Sequence, residues 1–357
     1  MNRTLVLLVG LLMLVALLEK SEVRGQESED SGQKSEVRGQ NAVSTKRALI
    51  LCGLSGDAAH HKLFAETAGK LHEGLTKRFG FGESDVQVLF GDEPQDADTE
   101  IIKTAGRATR EGLENSVTEL RAKLQPNDAL WVIVVGHSHY DGKHSWLNLP
   151  GPDIHQLDFA KLFADIKAAQ QVFVITTPTS GFSIKPLSAK GRVVITATET
   201  DWETDETEFP HEFARVLSAP PEAKDFDIDG DGTTSVFDLY VTVVRNLAQS
   251  YLEREFLATE HPLLDDNGDG RGTEVQIDFL TPEQGGRAKS KKGSTLPVKP
   301  TSDGGLAKSI TLTFTRAEPV PATAISDKSA VLPVGQAKQP AFRRWVDTRS
   351  CFAWVSR

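Results

Sequence analysis

Five short apolar segments alternate with amphipathic segments in the middle of the chain, and this alternation constrains the fold more than any other feature. Apolar residues between these segments recur at the 3.6-residue helical period, in three stretches: 64–75, 113–124 and 159–166. Strands that are apolar on both faces are buried on both faces. The pattern therefore predicts an α/β domain with a mostly parallel sheet flanked by helices on both faces. The apolar segments are RALILCG at 47–53, VQVLF at 86–90, WVIVV within 128–136, QVFVIT at 171–176 and RVVITA at 192–197.

The N-terminal region has the composition of an export signal followed by a linker. The apolar run Leu5–Leu18 follows Arg3 and is shorter than the roughly 20 residues of a membrane span, so residues 1–19 are interpreted as a signal peptide. A retained anchor is the alternative and would be the only membrane attachment. Residues 20–45 contain SEVRGQ twice and are polar, which predicts a disordered linker. The protein is therefore expected to be exported: secreted, periplasmic or in the cell envelope.

The C-terminal region differs from the central domain in composition. Residues 281–357 begin with a basic, Gly- and Pro-containing stretch and are predicted to form a flexible tail. Within it, Ile310, Leu312 and Phe314 alternate with polar residues, which predicts a strand over 309–316. The folded domain is accordingly expected to span 46–280.

The net charge disfavours one class of protein, and the cysteine count excludes another. The formal net charge of −10 disfavours nucleic-acid binding, which needs clustered Lys and Arg, and favours binding of cations. Cys52 and Cys351 are the only cysteines, so a disulfide framework is excluded.

Two segments place candidate catalytic residues at one edge of the predicted sheet. His137 follows the third apolar strand, and the turn Thr177–Gly181 follows the fourth. Catalytic groups of parallel sheets gather at the carboxyl ends of the strands. A hydrolase built there would use the histidine to take the proton of a nucleophile on the neighbouring turn.

The order of these segments resembles the caspase–legumain fold of cysteine peptidases over about residues 46–275. The opening LILCGLSGDAAHHKLFAETAGKL resembles the strand, glycine turn, basic-His pair and helix of that family, with His60 and His61 at the pair. The resemblance places His137 at the catalytic histidine, as a remnant general base, with Ser138 in place of the usual glycine. It places Pro178 of PTSG at the nucleophilic cysteine. Proline offers no nucleophilic atom, so cysteine-peptidase chemistry is not expected.

Other hydroxyl and imidazole groups near this edge leave alternatives open. Ser180 or Thr179 is the candidate nucleophile if the chain is an active hydrolase, although no Gly-x-Ser-x-Gly elbow is present. A zinc site is a further alternative but is less favoured than a solvated loop, since tighter paired spacings are usual; its residues are His139, His144, His155, Asp141 and Asp153. Three acidic residues suggest either a former pocket for a basic side chain or an exposed loop: Asp201, Glu203 and Asp205.

The segment DFDIDGDGTTSVFD at 225–238 has the pattern of an EF-hand or dockerin calcium loop. Gly232 occupies position 6, where the backbone must turn sharply, and an amphipathic helix follows. Alternate carboxylates converge only if the backbone wraps around an ion, and without a cation they repel one another. Ca²⁺ is therefore the predicted cofactor. Its expected ligands, at positions 1, 3, 5, 7, 9 and 12 of the loop, are Asp227, Asp229, Asp231, Thr233, Ser235 and Asp238.

A second, weaker copy of the pattern follows in DDNGDGRGTE at 265–274. Asp265, Asn267 and Asp269 match positions 1, 3 and 5, whereas Gln276 is a weak ligand at position 12. A weak calcium site and a simple turn both remain open for this segment. The predicted calcium-loop region thus covers 225–276 and adds a helical insertion to the domain.

Together these patterns predict an exported, calcium-binding homologue of the caspase–legumain peptidases that lacks catalysis and serves as a binding or structural module. Its expected partners are calcium and a peptide or protein. The alternatives are an active hydrolase that uses His137 with Ser180 or Thr179, and an envelope-associated interaction protein.

Overall fold

The computed structural model describes residues 43–200, 202–274 and 303–313. The predicted signal peptide, nearly all of the predicted linker and most of the predicted tail lie outside these residues. Among the described residues, no helix combines the length and the apolar character needed to span a bilayer.

A seven-stranded sheet forms the centre of the domain, in the order β10-β9-β8-β4-β1-β2-β3. All of its neighbouring strands pair in parallel except β10, which runs antiparallel to β9 at one edge. The strands are β1 (Lys46–Cys52), β2 (Val86–Phe90), β3 (Gly106–Arg107), β4 (Ala129–Val135), β8 (Gln170–Ile175), β9 (Arg192–Thr196) and β10 (Leu263–Asp265).

A small antiparallel sheet follows β4 and lies at the same end of the domain as the carboxyl ends of the long strands. It consists of β5 (Ser138–Tyr140), β6 (Ser145–Leu147) and β7 (Ile154–His155), paired in that order. Its first pair aligns Ser138 with Leu147.

Helices cover both faces of the large sheet. The α-helices are α1 (Ala58–Glu73), α2 (Glu100–Lys103), α3 (Arg110–Lys123), α4 (Gln156–Leu162), α5 (Ile184–Leu187), α6 (Phe209–Ser218), α7 (Ala223–Phe226), α8 (Val236–Glu253) and α9 (Gly305–Ser309). A π-helical turn (Gly74–Arg78) and two 3₁₀ turns (Glu83–Asp85 and Ser180–Ser183) complete the helical elements.

Each central strand contributes alternate residues to two separate cores. Ile50 and Ile133 pack with residues of α1, α6 and α8 on one face. Leu51 and Val132 pack with residues of α3, α4 and α5 on the other. This arrangement explains the continuous apolar runs, because neither face of β1 or β4 meets solvent. The predicted α/β class, with a mostly parallel sheet between two helical layers, is confirmed.

The C-terminal part of the domain is integral to the core. Tyr240 on α8 is fully buried, and its hydroxyl donates a hydrogen bond to the Pro262 carbonyl at 2.8 Å. The region of the two predicted calcium loops therefore adds a helix to one core face and, through β10, an edge strand to the sheet. Neither β10 nor the small sheet was expected from the sequence.

Residues 303–313 correct one expectation about the predicted tail. This segment forms α9 and packs against α8, with Ala307, Ile310 and Leu312 buried. Instead of a strand beginning at Ser309, the helix ends there, and Thr311 forms an isolated β-bridge with Ser235. The alternating Ile310 and Leu312 do bury their side chains, but against a helix. Residues 314–316 lie outside the described part of the chain.

Candidate functional site at the sheet edge

The turns after β4 and β8 lie side by side, as the parallel topology requires. The Ser138 hydroxyl, next to His137, donates to the Pro178 carbonyl at 2.6 Å. Pro178 is buried in the turn. The structure thus brings the predicted histidine edge and the predicted nucleophile turn together, with a pyrrolidine ring at the position that the resemblance assigns to cysteine.

The hydroxyl of Ser180 belongs to a buried hydrogen-bond network. Its side chain is fully buried, and its oxygen accepts the backbone N–H groups of Ala197 and Thr198, both at 3.1 Å. It also shares a 2.9 Å hydrogen bond with the Thr198 hydroxyl. A hydroxyl with its lone pairs used by two amides is poorly placed to attack a substrate, because attack would remove both bonds from a buried site.

Thr179 has a left-handed backbone conformation, with φ of 50° and ψ of 23°. This region is strained for a β-branched residue, and such strain concentrates at functional sites. The residue is 1% exposed, and its hydroxyl lies 2.7 Å from that of Ser145. Its N–H donates to the Glu203 carbonyl at 2.9 Å. The hydroxyl and the N–H of Thr179 are therefore already paired within the protein.

The acidic loop beyond β9 closes over the same turn. The Glu203 carboxylate accepts the N–H groups of Glu199 at 2.7 Å and His261 at 3.0 Å, and it pairs with the His261 imidazole. The Gly181 N–H donates to the Glu199 carbonyl at 3.1 Å. Glu203 thus orders the loop. Asp205 is exposed, and Asp201 lies outside the described residues.

Cys52 cannot supply the missing nucleophile. It ends β1, is fully buried and is a free thiol. Burial, together with the negative charge of Asp92, raises its pKa well above the ordinary value. The thiol is therefore neutral and enclosed, whereas a catalytic cysteine needs an accessible thiolate. Cys351 lies outside the described residues.

His137 is held among aromatic rings and faces His60. Its Nε2 lies 3.1 Å from the Ser55 carbonyl. The ring centroids of Phe64 and His60 lie 5.0 Å and 4.9 Å from its own. His137 is therefore oriented by the loop after β1 and by α1.

His60 has two carboxylate partners. Its Nδ1 lies 2.7 Å from Asp57 Oδ2, and its Nε2 lies 3.0 Å from Glu206 Oε2. The hydrogen bond to Asp57, followed by that to Glu206, raises the pKa of His60. Asp57 also caps α1 by accepting the N–H groups of Ala59 and His60. The resemblance places His60 at the basic-His pair, but no local pattern links it to Glu206, which is 146 positions away.

The three histidines considered for zinc lie around the small sheet and serve other contacts. His139 Nδ1 is 2.9 Å from Asn148 Oδ1, and the rings of His144 and His155 stack at 4.7 Å. Asp141 accepts from the His144 N–H and the Trp146 indole, and these hydrogen bonds lower its pKa to about 2. Asp153 accepts the Leu149 N–H at 2.9 Å. Among the described residues, none of these groups joins a cluster that could hold a metal ion.

The first predicted calcium loop brings three of its six expected ligands together. Carboxylate oxygens of Asp227, Asp229 and Asp231 lie within 4.8 Å of one another. Gly230 and Gly232 have φ of 73° and 88°, which lets the backbone wrap around these carboxylates. The carboxylates of this loop fit the donor set that calcium prefers.

The other three expected ligands make contacts with each other or with the loop. Thr233 donates from its hydroxyl to Asp231 at 2.8 Å. Ser235 and Asp238 form a capping box at the start of α8, and Asp238 also accepts the Ile228 N–H at 2.9 Å. Burial, together with the charge of Asp229, raises the pKa of Asp238. Asp238 is thus a helix cap that borders the carboxylate cluster.

A lysine that the sequence did not place at this site lies against the cluster. The Lys308 ammonium on α9 is 2.8 Å from Asp229 Oδ2, whose side chain is 3% exposed. This oxygen lies close enough for an ion pair but makes no well-aligned hydrogen bond. Lys308 supplies positive charge to a group of carboxylates that would otherwise repel one another.

The second loop repeats the backbone hydrogen bonds of the first. Asp265 accepts the N–H groups of Gly268 at 3.1 Å and Gly270 at 3.2 Å. Asp227 accepts those of Gly230 and Gly232, both at 2.9 Å, at the same loop positions.

The bonds made by positions 3 and 5 are repeated as well. Asn267 accepts the Asp269 N–H and Asp269 accepts the Arg271 N–H. In the first loop, Asp229 accepts the Asp231 N–H and Asp231 accepts the Thr233 N–H. Gln276 lies outside the described residues. The two loops therefore share a conformation, while the carboxylate cluster is found at the first.

Asp303 connects the second loop to α9 and was not expected from the sequence. It accepts the Asp266 N–H at 3.1 Å and the Thr273 hydroxyl at 2.7 Å. Asp266 in turn accepts the N–H groups of Gly304 and Ala307. Burial raises the pKa of Asp303 to about 6. With Lys308, these contacts attach residues 303–313 to both loops.

The fold and this edge define an α/β protein that presents a histidine next to a turn without a thiol. No protein-family model and no curated protein matches the sequence. Among solved structures, the chain is similar to the Drosophila initiator caspase Dronc, with 10% identity and a TM-score of 0.42 over 73% of this chain and 96% of that chain. At these values the similarity carries no argument about chemistry.

Proposed function

We propose that this chain is an exported, calcium-binding homologue of the caspase–legumain peptidases that has lost catalysis and acts as a binding or structural module. The observation that carries the proposal is the turn after β8, where Pro178 lies beside the His137 segment. A proline side chain has neither a nucleophilic atom nor an N–H to contribute.

The surrounding hydroxyls support the loss of catalysis. Ser180 and Thr179 are buried, and each is hydrogen-bonded within the protein. An active hydrolase would need one of them accessible to the imidazole and to substrate. The active-hydrolase alternative therefore has less support than the binding module.

The loop around Asp227 supports the calcium-binding part of the proposal. Asp227, Asp229 and Asp231 would hold the ion, which would supply the positive charge that their convergence requires. Bound calcium would stabilise the folded state by linkage. Since Lys308 pairs with Asp229, calcium would also have to compete with this ammonium.

A binding role is supported by the surface of the acidic loop. Trp202 is 91% exposed, next to the segment that covers the Pro178 turn. Tryptophan is enriched among the residues that dominate protein–protein binding energy. A peptide or protein is therefore the proposed partner at this end of the domain.

Export rests on the apolar run Leu5–Leu18 alone. Mass analysis of the N-terminus of protein recovered outside the cytoplasm tests it. A new terminus near residue 19 is expected, and protein found only in the cytoplasm with Met1 or Asn2 at its terminus would contradict export.

The loss of catalysis is tested by incubating the full chain with a panel of peptide substrates, with and without calcium. We expect no cleavage above buffer, and no difference between wild type and His137→Ala. Cleavage that disappears in His137→Ala but persists in His139→Ala, a matched exposed histidine, would contradict the proposal.

A further inference from the structure

We infer that His60, His137 and Glu206 form a second metal site, selective for a divalent transition metal of the Zn²⁺ class. One ligand atom from each residue lies within 4.8 Å of the others. The site lies at the same sheet edge as Pro178, is separate from the calcium loop and does not depend on the proposed loss of catalysis.

The imidazole of His60 is oriented for coordination. Asp57 holds its Nδ1 at 2.7 Å, so that Nε2 is directed toward Glu206 at 3.0 Å. Metal-binding histidines commonly donate their other ring N–H to a carboxylate, which fixes the tautomer and makes the coordinating nitrogen more basic. Asp57 is itself fixed, because its other oxygen caps α1 through the Ala59 and His60 N–H groups.

His137 shows the corresponding arrangement with a backbone partner. Its Nε2 lies 3.1 Å from the Ser55 carbonyl, which can only accept a hydrogen bond. In the neutral ring, Nε2 therefore carries the proton and Nδ1 has the free lone pair. Backbone carbonyls are the other common partners of metal-binding histidines. Contact with Phe64 at 5.0 Å between ring centroids further limits the ring orientations.

The donor set determines which ion fits. Two imidazoles and one carboxylate are typical of catalytic zinc sites, which keep a fourth position for water or another ligand. Calcium prefers oxygen donors alone, as in the cluster of Asp227, Asp229 and Asp231. The two metal-binding groups should therefore select different ions.

The three ligands come from separate parts of the fold. His60 lies in the first turn of α1, His137 follows β4 and Glu206 precedes α6. Asp57 and Glu206 together carry two negative charges, which balance those of a divalent ion next to two neutral imidazoles. A metal would thus become the partner of the His137 ring, at an edge where the neighbouring turn offers no thiolate.

The test is zinc titration of the chelator-treated full chain in competition with a chromophoric chelator, with Co²⁺ spectra as a second readout of nitrogen ligation. We expect one Zn²⁺ per chain at this site. His60→Ala, His137→Ala and Glu206→Gln should each weaken binding at least about tenfold, and Asp57→Asn, which keeps a capping oxygen, by roughly 10–100-fold.

Two controls separate this site from the others. His139→Ala removes an exposed histidine on the neighbouring strand, and Asp227→Asn alters the calcium loop; neither should change zinc affinity. Circular dichroism of each variant confirms that it is folded. Absence of zinc uptake by folded wild type would overturn the inference. So would zinc binding that survives both histidine substitutions or is lost in Asp227→Asn.

Discussion

If Ser180 is a structural residue of the turn after β8, replacing its buried hydroxyl should lower the free energy of unfolding. Ser180→Ala removes the acceptor for the Thr198 and Ala197 N–H groups. The Ala197 N–H also lies 3.0 Å from the Ile175 carbonyl and keeps that partner. The Thr198 N–H is left unsatisfied in a fully buried position, which costs about 1–3 kcal/mol.

The assay is urea unfolding at fixed calcium concentration, followed by fluorescence and fitted for both midpoint and slope. Ser183→Ala is the matched control, because Ser183 belongs to the same 3₁₀ turn but makes no capping hydrogen bond. We expect the control to change the unfolding free energy by less than about 0.5 kcal/mol. Equal stability of Ser180→Ala and wild type would refute the account of Ser180 as part of a buried network.

Three further predictions concern the same edge, a buried acid and the calcium loop. Gly181→Ala places a Cβ 2.4 Å from the Glu199 carbonyl and should destabilise the fold by about 1–3 kcal/mol. The control Gly69→Ala on α1, where the added Cβ meets open space, should not destabilise it. Equal melting temperatures for Gly181→Ala and wild type would show that the turn can move. Burial raises the pKa of Glu260 from 4.5 to about 7. Folding therefore favours the protonated carboxyl. The stabilisation that protonated Glu260 gives the folded state is fully present below about pH 4.5 and is lost as pH rises through 7. The loss amounts to about 3 kcal/mol of unfolding free energy and should be absent in Glu260→Gln. An equal change in unfolding free energy between pH 5 and pH 8 in wild type and in Glu260→Gln would contradict this prediction. Calcium at about 100 times its Kd should stabilise the wild type by about 2.7 kcal/mol, which raises the melting temperature by roughly 5–10 °C. Asp225→Asn should keep this stabilisation, and Asp227→Asn should lose it. Calorimetry that detects no calcium uptake would exclude the site.

Much of the fold could be predicted because its determinants are local. The run WVIVV predicts a strand buried on both faces, and β4 runs from Ala129 to Val135 with every residue buried. The three strands of the small sheet have two or three residues each, too few to show a period. β10 escaped prediction for the same reason.

The candidate sites were likewise predictable where their residues are close in sequence, and not where tertiary packing brings distant residues together. The spacing of Asp227, Asp229 and Asp231 is a local pattern, and their carboxylates do converge. Glu206 and Lys308 reach their partners only through tertiary packing, so that no sequence pattern links His60 to Glu206 or Asp229 to Lys308.

Asp238 shows how one pattern can carry two meanings. Its spacing from Asp227 matches the last position of a calcium loop. The same residue lies three positions after Ser235, which is the spacing of a capping box, and the structure forms that box. A local sequence pattern could have indicated the cap, but not which of the two roles the carboxylate would take.

The central claim is that the turn after β8 presents no nucleophile to His137. The most direct measurement is the intact mass of the full chain after incubation with a fluorophosphonate probe in the presence of calcium. The account predicts an unchanged mass. A covalent adduct mapped by fragmentation to residues 177–181, and absent from His137→Ala, would contradict it.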